Sequence, residues 1–258
     1  MKVTVLGCGP SWGVPRVDGD WGRCDPANPK NRRRRAGIVV EDGGAAVLVD
    51  TPPDLREALL SCNIKRIDAV IFTHAHADHI HGVDDLRIPS WNLGRPVPAY
   101  GTAKTFADLH ARFDYTIDGI RAPNASGYYY QPMIAPHEIA GNFEAAGIPV
   151  AVFEQIHGRV PSLGLRFGRF AYSTDVKELN EAAFAALDGV EVWIVDCLRR
   201  AEGHPTHSWL ARSLGWIERV GPKRAFLTHM DESLDYDTLR RELPAGVEPA
   251  YDGMTIEI

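Results

Sequence analysis

Residues 68–82 read DAVIFTHAHADHIHG. An apolar run, DAVIFT, stops at four histidines and an aspartate packed into eight residues. The whole chain holds only ten histidines, so the concentration is selective. The apolar run has the composition of a buried strand. Such a strand ends at the rim of its sheet, where rigid backbone can present polar side chains to a cleft. His74 and His76 stand two apart, so in extended chain they point to one side and can share an ion. Asp78 and His79 follow where the chain turns, on this reading into a short helix, and can face a second ion. Neutral imidazole and carboxylate suit zinc, manganese or iron, whereas calcium prefers oxygen shells. No cysteine lies in the cluster, which excludes a structural zinc finger there.

Working outward, short runs rich in β-branched residues read as strands at 2–7, 37–41, 45–50, 149–155, 163–168, 170–174, 190–196 and 224–228. EDGG (41–44) and FGRF (167–170) read as hairpin turns. Helical patterns lie at about 53–62, 102–113, 177–187, 207–220 and 235–242. Thr206 is the expected cap of the helix at 207–220, and Gly221-Pro222 its stop. Residues 114–148 are poorly periodic and read as irregular loop and edge strand. Strands dominate the first half and helices enter between later strands. That mixture predicts two packed sheets with helices outside, not one doubly wound sheet.

No linker or repeat divides the 258 residues, so residues 1–258 are read as one domain. The net charge of −6 excludes a basic nucleic-acid coat. The start, MKVTVLGCGPSWG, lacks the apolar core of a secretory signal, and no apolar run approaches the ~18–20 residues of a membrane span. Four scattered cysteines without a Cys-x-x-Cys add to the expectation of a cytoplasmic protein with free thiols.

The string THAHADHIHG resembles the H-x-H-x-D-H signature of the metallo-β-lactamase superfamily. The resemblance implies an α+β fold, a four-layer αβ/βα sandwich, with two divalent transition-metal ions. It asks for a later isolated histidine, an aspartate after another strand and a final histidine near the C-terminus. EQIHG, FAYSTD and RAFLTH supply His157, Asp175 and His229. By resemblance the first ion takes His74, His76 and His157, and the second takes Asp78, His79 and His229. Asp175 bridges them, and Asp50 stands behind the ligands. The ions would be zinc or manganese, with iron also compatible.

The opening LGCGPSWGVPR resembles a turn in the branch that holds transfer-RNA 3′-processing endonucleases and ribosyl cyclic phosphate phosphodiesterases. The tail from LTHMDESLDY onward is similar to the phosphodiesterases that open phosphoribosyl 1,2-cyclic phosphate. That resemblance implies a metal-dependent phosphodiesterase acting on a small phosphodiester or nucleotide, with short RNA as an alternative substrate. His207, in HPTHSW, would approach the phosphate and protonate the leaving group. It is expected in the first turn of a helix, where the dipole disfavours the imidazolium. Asp78 would orient the attacking water. His204 is expected to be structural or solvent-facing. Those relatives often carry a cysteine cluster that binds a structural zinc; here Cys24 stands alone and no histidine follows His229, so no structural zinc is expected. Arg32 to Arg35 offer a phosphate or backbone contact, or a solvated loop. Tyr128–Tyr130 offer base stacking, or more simply edge packing. A thioester or lactam hydrolase of the same fold would not need His207. A non-catalytic nucleotide sensor would not need Asp78. Nothing in the chain excludes a homodimer.

Overall fold

The computed structural model describes residues 1–121 and 128–258. Three antiparallel strands open the chain: β1 (Lys2–Gly7), β2 (Gly37–Asp42) and β3 (Ala45–Val49). Helix α1 (Leu55–Ser61) leads to β4 (Ala69–Ile71), the strand of the histidine motif. Then come α2 (Ala77–Ile80), α3 (Arg87–Leu93), β5 (Val97–Gly101) and α4 (Ala103–Asp118). A small ribbon, β6 (Ile120–Arg121) with β7 (Tyr128–Tyr130), precedes β8 (Ile134–Glu138). The second half runs through β9 (Phe143–Ala145), β10 (Ile148–Gln155), β11 (Ser162–Phe167), β12 (Phe170–Ser173), α5 (Glu181–Leu187) and β13 (Val192–Asp196). It closes with α6 (Leu210–Val220), β14 (Arg224–Thr228), α7 (Tyr236–Glu242), β15 (Val247–Pro249) and β16 (Thr255–Glu257).

Two seven-stranded sheets result, in the orders β16-β1-β2-β3-β4-β5-β8 and β15-β14-β13-β12-β11-β10-β9. Within the first, β3, β4, β5 and β8 run parallel. Within the second, β12 to β15 do. Alternation along the strands explains why their sequences are apolar throughout. Val47, Val49, Ala69 and Ile71 face the core shared with Phe167, Tyr172 and Trp193 of the second sheet. Their neighbours Leu48, Val70 and Phe72 face outward and pack on Leu55, Ile80 and Leu109 of the helices. A strand covered on both sides needs an unbroken hydrophobic run. Each large side chain so buried contributes about 1.5–3 kcal/mol. The EDGG turn forms as read: Asp42 pairs Ala45, and Gly43 and Gly44 take φ of 56° and 86°, the left-handed pair that a two-residue hairpin needs.

Three readings change. Helix α4 runs on to Asp118 across a non-helical Phe113 (φ −140°, ψ 42°), so residues 114–118 are helical rather than loop. The rest of 114–148 does supply edges, β8 for one sheet and β9 for the other; Ala122–Gly127 lie outside the described residues. Helix α6 begins at Leu210, and the cap position falls on Trp209 without a side-chain bond. Thr206 is not its cap: it lies three residues before the cap position, its hydroxyl meets His204 Nδ1 at 3.4 Å, and its carbonyl accepts a bond from His157 Nδ1 at 2.8 Å. Gly221 does end the helix, in the left-handed conformation.

Candidate metal centre

Strands of both sheets end at one rim. Asp50 follows β3, His74 follows β4, His157 follows β10, Asp175 follows β12 and His229 follows β14. Asp50, Asp175 and His229 take left-handed φ values of 62°, 52° and 59°. For a non-glycine residue this costs on the order of 1–2 kcal/mol. The cost falls where the chain must turn a side chain off its strand and onto the rim.

The seven residues singled out by the sequence converge. Asp175 Oδ2 lies 3.7 Å from His74 Nε2 and 3.5 Å from His157 Nε2. Its Oδ1 lies 3.1 Å from His79 Nε2 and 3.3 Å from His229 Nε2. Each carboxylate oxygen therefore faces its own histidine pair. His76 Nδ1 completes the first set, 2.9 Å from His74 Nε2 and 3.2 Å from His157 Nε2. Asp78 Oδ2 completes the second, 3.4 Å from His79 Nε2 and 3.5 Å from His229 Nε2. Two ligands about 2.0–2.1 Å from one zinc stand roughly 3.3 Å apart in a tetrahedron, which is the spacing of both sets. The Nε2 atoms of His79 and His229 are buried with no hydrogen-bond partner, an expensive state unless a cation takes their lone pairs. The donors fit two divalent ions. The fourth histidine of the motif, His81, instead packs edge-on against Phe113.

Behind the donors, other groups fix each ring. Asp50 Oδ2 accepts from His79 Nδ1 at 2.7 Å, and Asp50 also accepts from the Thr73 amide and hydroxyl, both at 2.8 Å. His157 Nδ1 donates to the Thr206 carbonyl. These bonds leave the Nε2 lone pairs of His79 and His157 pointing at the rim. Burial raises the Asp78 and Asp175 carboxyls, but the facing imidazoles, led by His79 and His229 respectively, outweigh it and hold both well below the usual carboxylate range. Burial opposes charge on His229 as well, yet Asp175, Asp78 and Asp196 raise it to about 9. Burial depresses His74, His76 and His157. The cluster thus calls for positive charge on one side and neutral imidazoles on the other.

His207 is brought to the same rim, its Nε2 3.7 Å from Asp175 Oδ2 and its ring stacked on His229 at 4.6 Å. It does not sit in the first turn of a helix. It lies in a bend three residues ahead of α6, so the helix dipole argument fails. What holds it is Asp196, whose Oδ2 accepts from His207 Nδ1 at 3.0 Å and from the Val176 amide at 2.9 Å. Sequence reasoning missed Asp196. The signal was present: VEVWIVD ends in an acid just as AAVLVD ends in Asp50. His204 is structural, its Nδ1 accepting from the amides of Thr206 at 3.3 Å and His207 at 3.2 Å.

The arginine run is mostly internal framework. Arg33 is buried and donates to the carbonyls of Asp231 (2.9 Å) and Leu234 (2.5 Å), with Cys24 Sγ 3.8 Å away. Arg34 pairs with Asp252 and Arg35 with Asp54. Arg32 is exposed, over the Trp21 ring. In the β6–β7 ribbon, Tyr130 packs under Arg87 and Tyr129 is exposed.

Residues 45–230 match the family model of the β-lactamase superfamily domain. The chain belongs to this superfamily. Within it, the β-lactamase-superfamily chain stands in the PhnP-like branch: it is similar, at 36% identity and a TM-score of 0.89, to a crystal structure described as a new diphosphatase from the PhnP family, covering 100% of this chain and 97% of that one. The Zn(2+)-bound PqqB of Methylobacterium extorquens has the same fold (TM-score 0.74, 19% identity, 100% of both chains). Among curated proteins, the chain is 28% identical to an octanoyltransferase of Porphyromonas gingivalis over 258 residues, 98% of this chain and 51% of that protein. It is also 28% identical to ribonuclease Z of a Mycobacterium species over 198 residues, 72% of this chain and 66% of that one. The chain thus spans about half the length of the first and less than two thirds of the second. Among the described residues of this superfamily member, no helix is long and apolar enough to cross a membrane.

Proposed function

We propose that this protein is a phosphodiesterase that holds two divalent transition-metal ions, zinc or manganese, and cleaves a P–O bond in a cyclic ribosyl phosphate, nucleotide or related small phosphodiester. The observation that carries the reading is Asp175: its two oxygens face two separate ligand sets, with the Asp196-held His207 beside it. The first ion would be held by His74, His76 and His157, the second by Asp78, His79 and His229, with Asp175 shared. Bound there, the ions would neutralise phosphate charge and lower the pKa of a water from ~15.7 to about 7. Asp78 accepts a hydrogen bond from the attacking water and orients it. Because Asp196 occupies His207 Nδ1, a proton for the leaving oxygen comes from Nε2. The similarity to a diphosphatase extends the substrate class to a phosphoanhydride P–O–P link. A ribonuclease is the second reading, favoured by the ribonuclease Z match. The test is a screen of the manganese- and zinc-loaded protein against cyclic ribosyl phosphates, diphosphate-bridged dinucleotides, short RNAs, a lactam and a thioester. Turnover of small phosphodiesters is expected. Turnover confined to the lactam or thioester, or binding without any turnover, would overturn the reading.

A further inference from the structure

The cluster has one open side. His74, His79, His157, His229 and Asp175 are no more than 2% exposed, whereas His76 is only partly covered. Of the donor residues, His76 is thus the one most accessible to a ligand. Two arginines flank that side in the chain, Arg112 on α4 and Arg159 in the turn after β10. Arg112 reaches from α4, and its Nη1 donates at 2.7 Å to the carbonyl of Ala75, the residue between His74 and His76. Arg159 follows His157 by two residues, and the His76 and His157 rings lie 5.0 Å apart.

Several other arginines are answered by acids: Arg16 by Asp18, Arg87 by Asp84, Arg200 by Glu242, Arg219 by Glu181. Arg112 and Arg159 have no carboxylate within ion-pair distance among the described residues, and both are exposed. A guanidinium offers five donors. The Ala75 bond uses one of Arg112's and anchors the group at the lip, leaving the rest for a ligand. The reach is not a generic helix contact, since α4 departs from helical geometry at Phe113, the next residue, whose ring packs on His81 of the same loop. Two cations without a carboxylate partner among the described residues are thus tied to a site built of imidazoles and carboxylates, one by its bond to the histidine loop and one by its place two residues after His157. They suit an anion that the metal centre does not itself hold.

We propose that Arg112 and Arg159 form an anion-binding lip that grips a second phosphoryl group of the substrate, joined through a bridging oxygen to the phosphorus under attack. The inference rests on the phosphodiesterase reading and narrows it to substrates carrying two linked phosphoryl groups. Planar guanidiniums bind phosphoryl oxygens through paired, charge-assisted hydrogen bonds, and each such contact at an exposed site changes affinity by about tenfold.

The test uses the manganese-loaded full chain with Arg112→Met, Arg112→Lys, Arg159→Ala and the Arg112→Met/Arg159→Ala pair. Inorganic diphosphate and orthophosphate are titrated calorimetrically, and a diphosphate-bridged dinucleotide is compared with bis(p-nitrophenyl) phosphate as substrate. Diphosphate affinity should fall about tenfold in each neutral variant and further in the pair, with orthophosphate binding held within about twofold. KM for the dinucleotide should rise with kcat little changed, the loss on bis(p-nitrophenyl) phosphate should be clearly smaller, and Arg112→Lys should restore part of the loss. Equal losses on both substrates, or metal loss in Arg112→Met, would make Arg112 only a support for the histidine loop. Unchanged diphosphate binding in Arg159→Ala and in the pair would overturn the lip. If the parent turns over neither substrate, the phosphodiesterase reading fails, and the two binding titrations still decide the lip.

Discussion

His207 is tied at one ring nitrogen and free at the other, and this asymmetry sets its testable role. Asp196 takes Nδ1, so only Nε2 can meet a leaving oxygen. His207→Ala should lower kcat on an alkyl phosphodiester by roughly 10²–10⁴. A nitrophenolate ester needs little protonation, so its rate should fall much less, and metal content should hold. Equal small losses on both esters would reduce His207 to a structural residue. Asp196→Asn tests the support: its amide can present N–H to Nδ1 and favour the wrong tautomer. Removal of such a partner costs about 10–100-fold, and here the loss should again be larger for the alkyl ester, with KM steady. Loss of folding in place of a selective kcat effect would leave Asp196 as a core carboxylate.

At this scale the sequence was readable where chemistry and spacing coincide. Every residue of the H-x-H-x-D-H string, with His157, Asp175 and His229, arrives at one rim. Asp196 was marked only by its place at a strand's end, which did not name His207 as its partner, and Arg112 was not readable, because its partner Ala75 lies 37 residues away. Asp196 looks like any strand-ending acid until His207 lies over it. Arg112 looks like any helical arginine until Ala75 does.

At the scale of elements, the strands could be read because each is buried on both faces and writes that into a continuous apolar run. The start of α6 could not. Thr206 satisfies the rule for a cap, but its carbonyl is claimed by His157, and the hydroxyls of Ser208 and Ser213 bond the Asp196 carbonyl at 2.6 Å each. Tertiary bonds overrode the local signal and moved the helix three residues on. The connection between α2 and α3 gives a prediction of its own. Gly82 lies so close to the loop after β3 that an added Cβ would sit 2.1 Å from the Pro52 carbonyl oxygen. Backbone lies on both sides of that contact, so it cannot yield cheaply. Gly82→Ala should cost about 1–3 kcal/mol of stability and weaken metal binding through the displaced histidine loop. A thermal melt and metal titration indistinguishable from the parent would show that the loop accommodates it.

For the molecule as a whole, charge links metal, protons and stability. Elemental analysis should find about two transition-metal ions per chain, and His229→Ala should deplete the second site more than the first. A single tight ion, indifferent to that change, would contradict the paired centre. In metal-free protein His229 stands at about 9 against its ordinary 6.5: burial pulls it down, and Asp175 more than compensates. A raised imidazole stabilises the fold fully below pH 6.5 and ceases to do so as pH rises through about 9. The melting temperature of the metal-free protein should therefore gain least from His229 at the alkaline end of that window. Metal displaces the proton, so the loaded protein should not show this dependence. Uptake at pH 7 should release protons, which calorimetry in two buffers of different ionisation enthalpy will count. No proton release would remove His229 from the ligands.

The two halves of the chain meet at that rim in a way that has a mechanical consequence. His74, His76, Asp78 and His79 belong to the first sheet, and His157, Asp175 and His229 to the second. Ions held by both would work as cross-links, the second closing a loop from Asp78 to His229 that spans more than half the chain. A covalent link over such a distance removes on the order of 5 kcal/mol of disorder from the unfolded ensemble. No part of the chain shorter than that span brings the full set of ligands together, so the ions would fasten a finished fold and could not seed one. Chelation should then leave the apolar layer between the sheets closed and let the rim fray. Hydrogen exchange should quicken first in the loops after β4, β12 and β14, while the amides of Val47 and Ile194 stay protected.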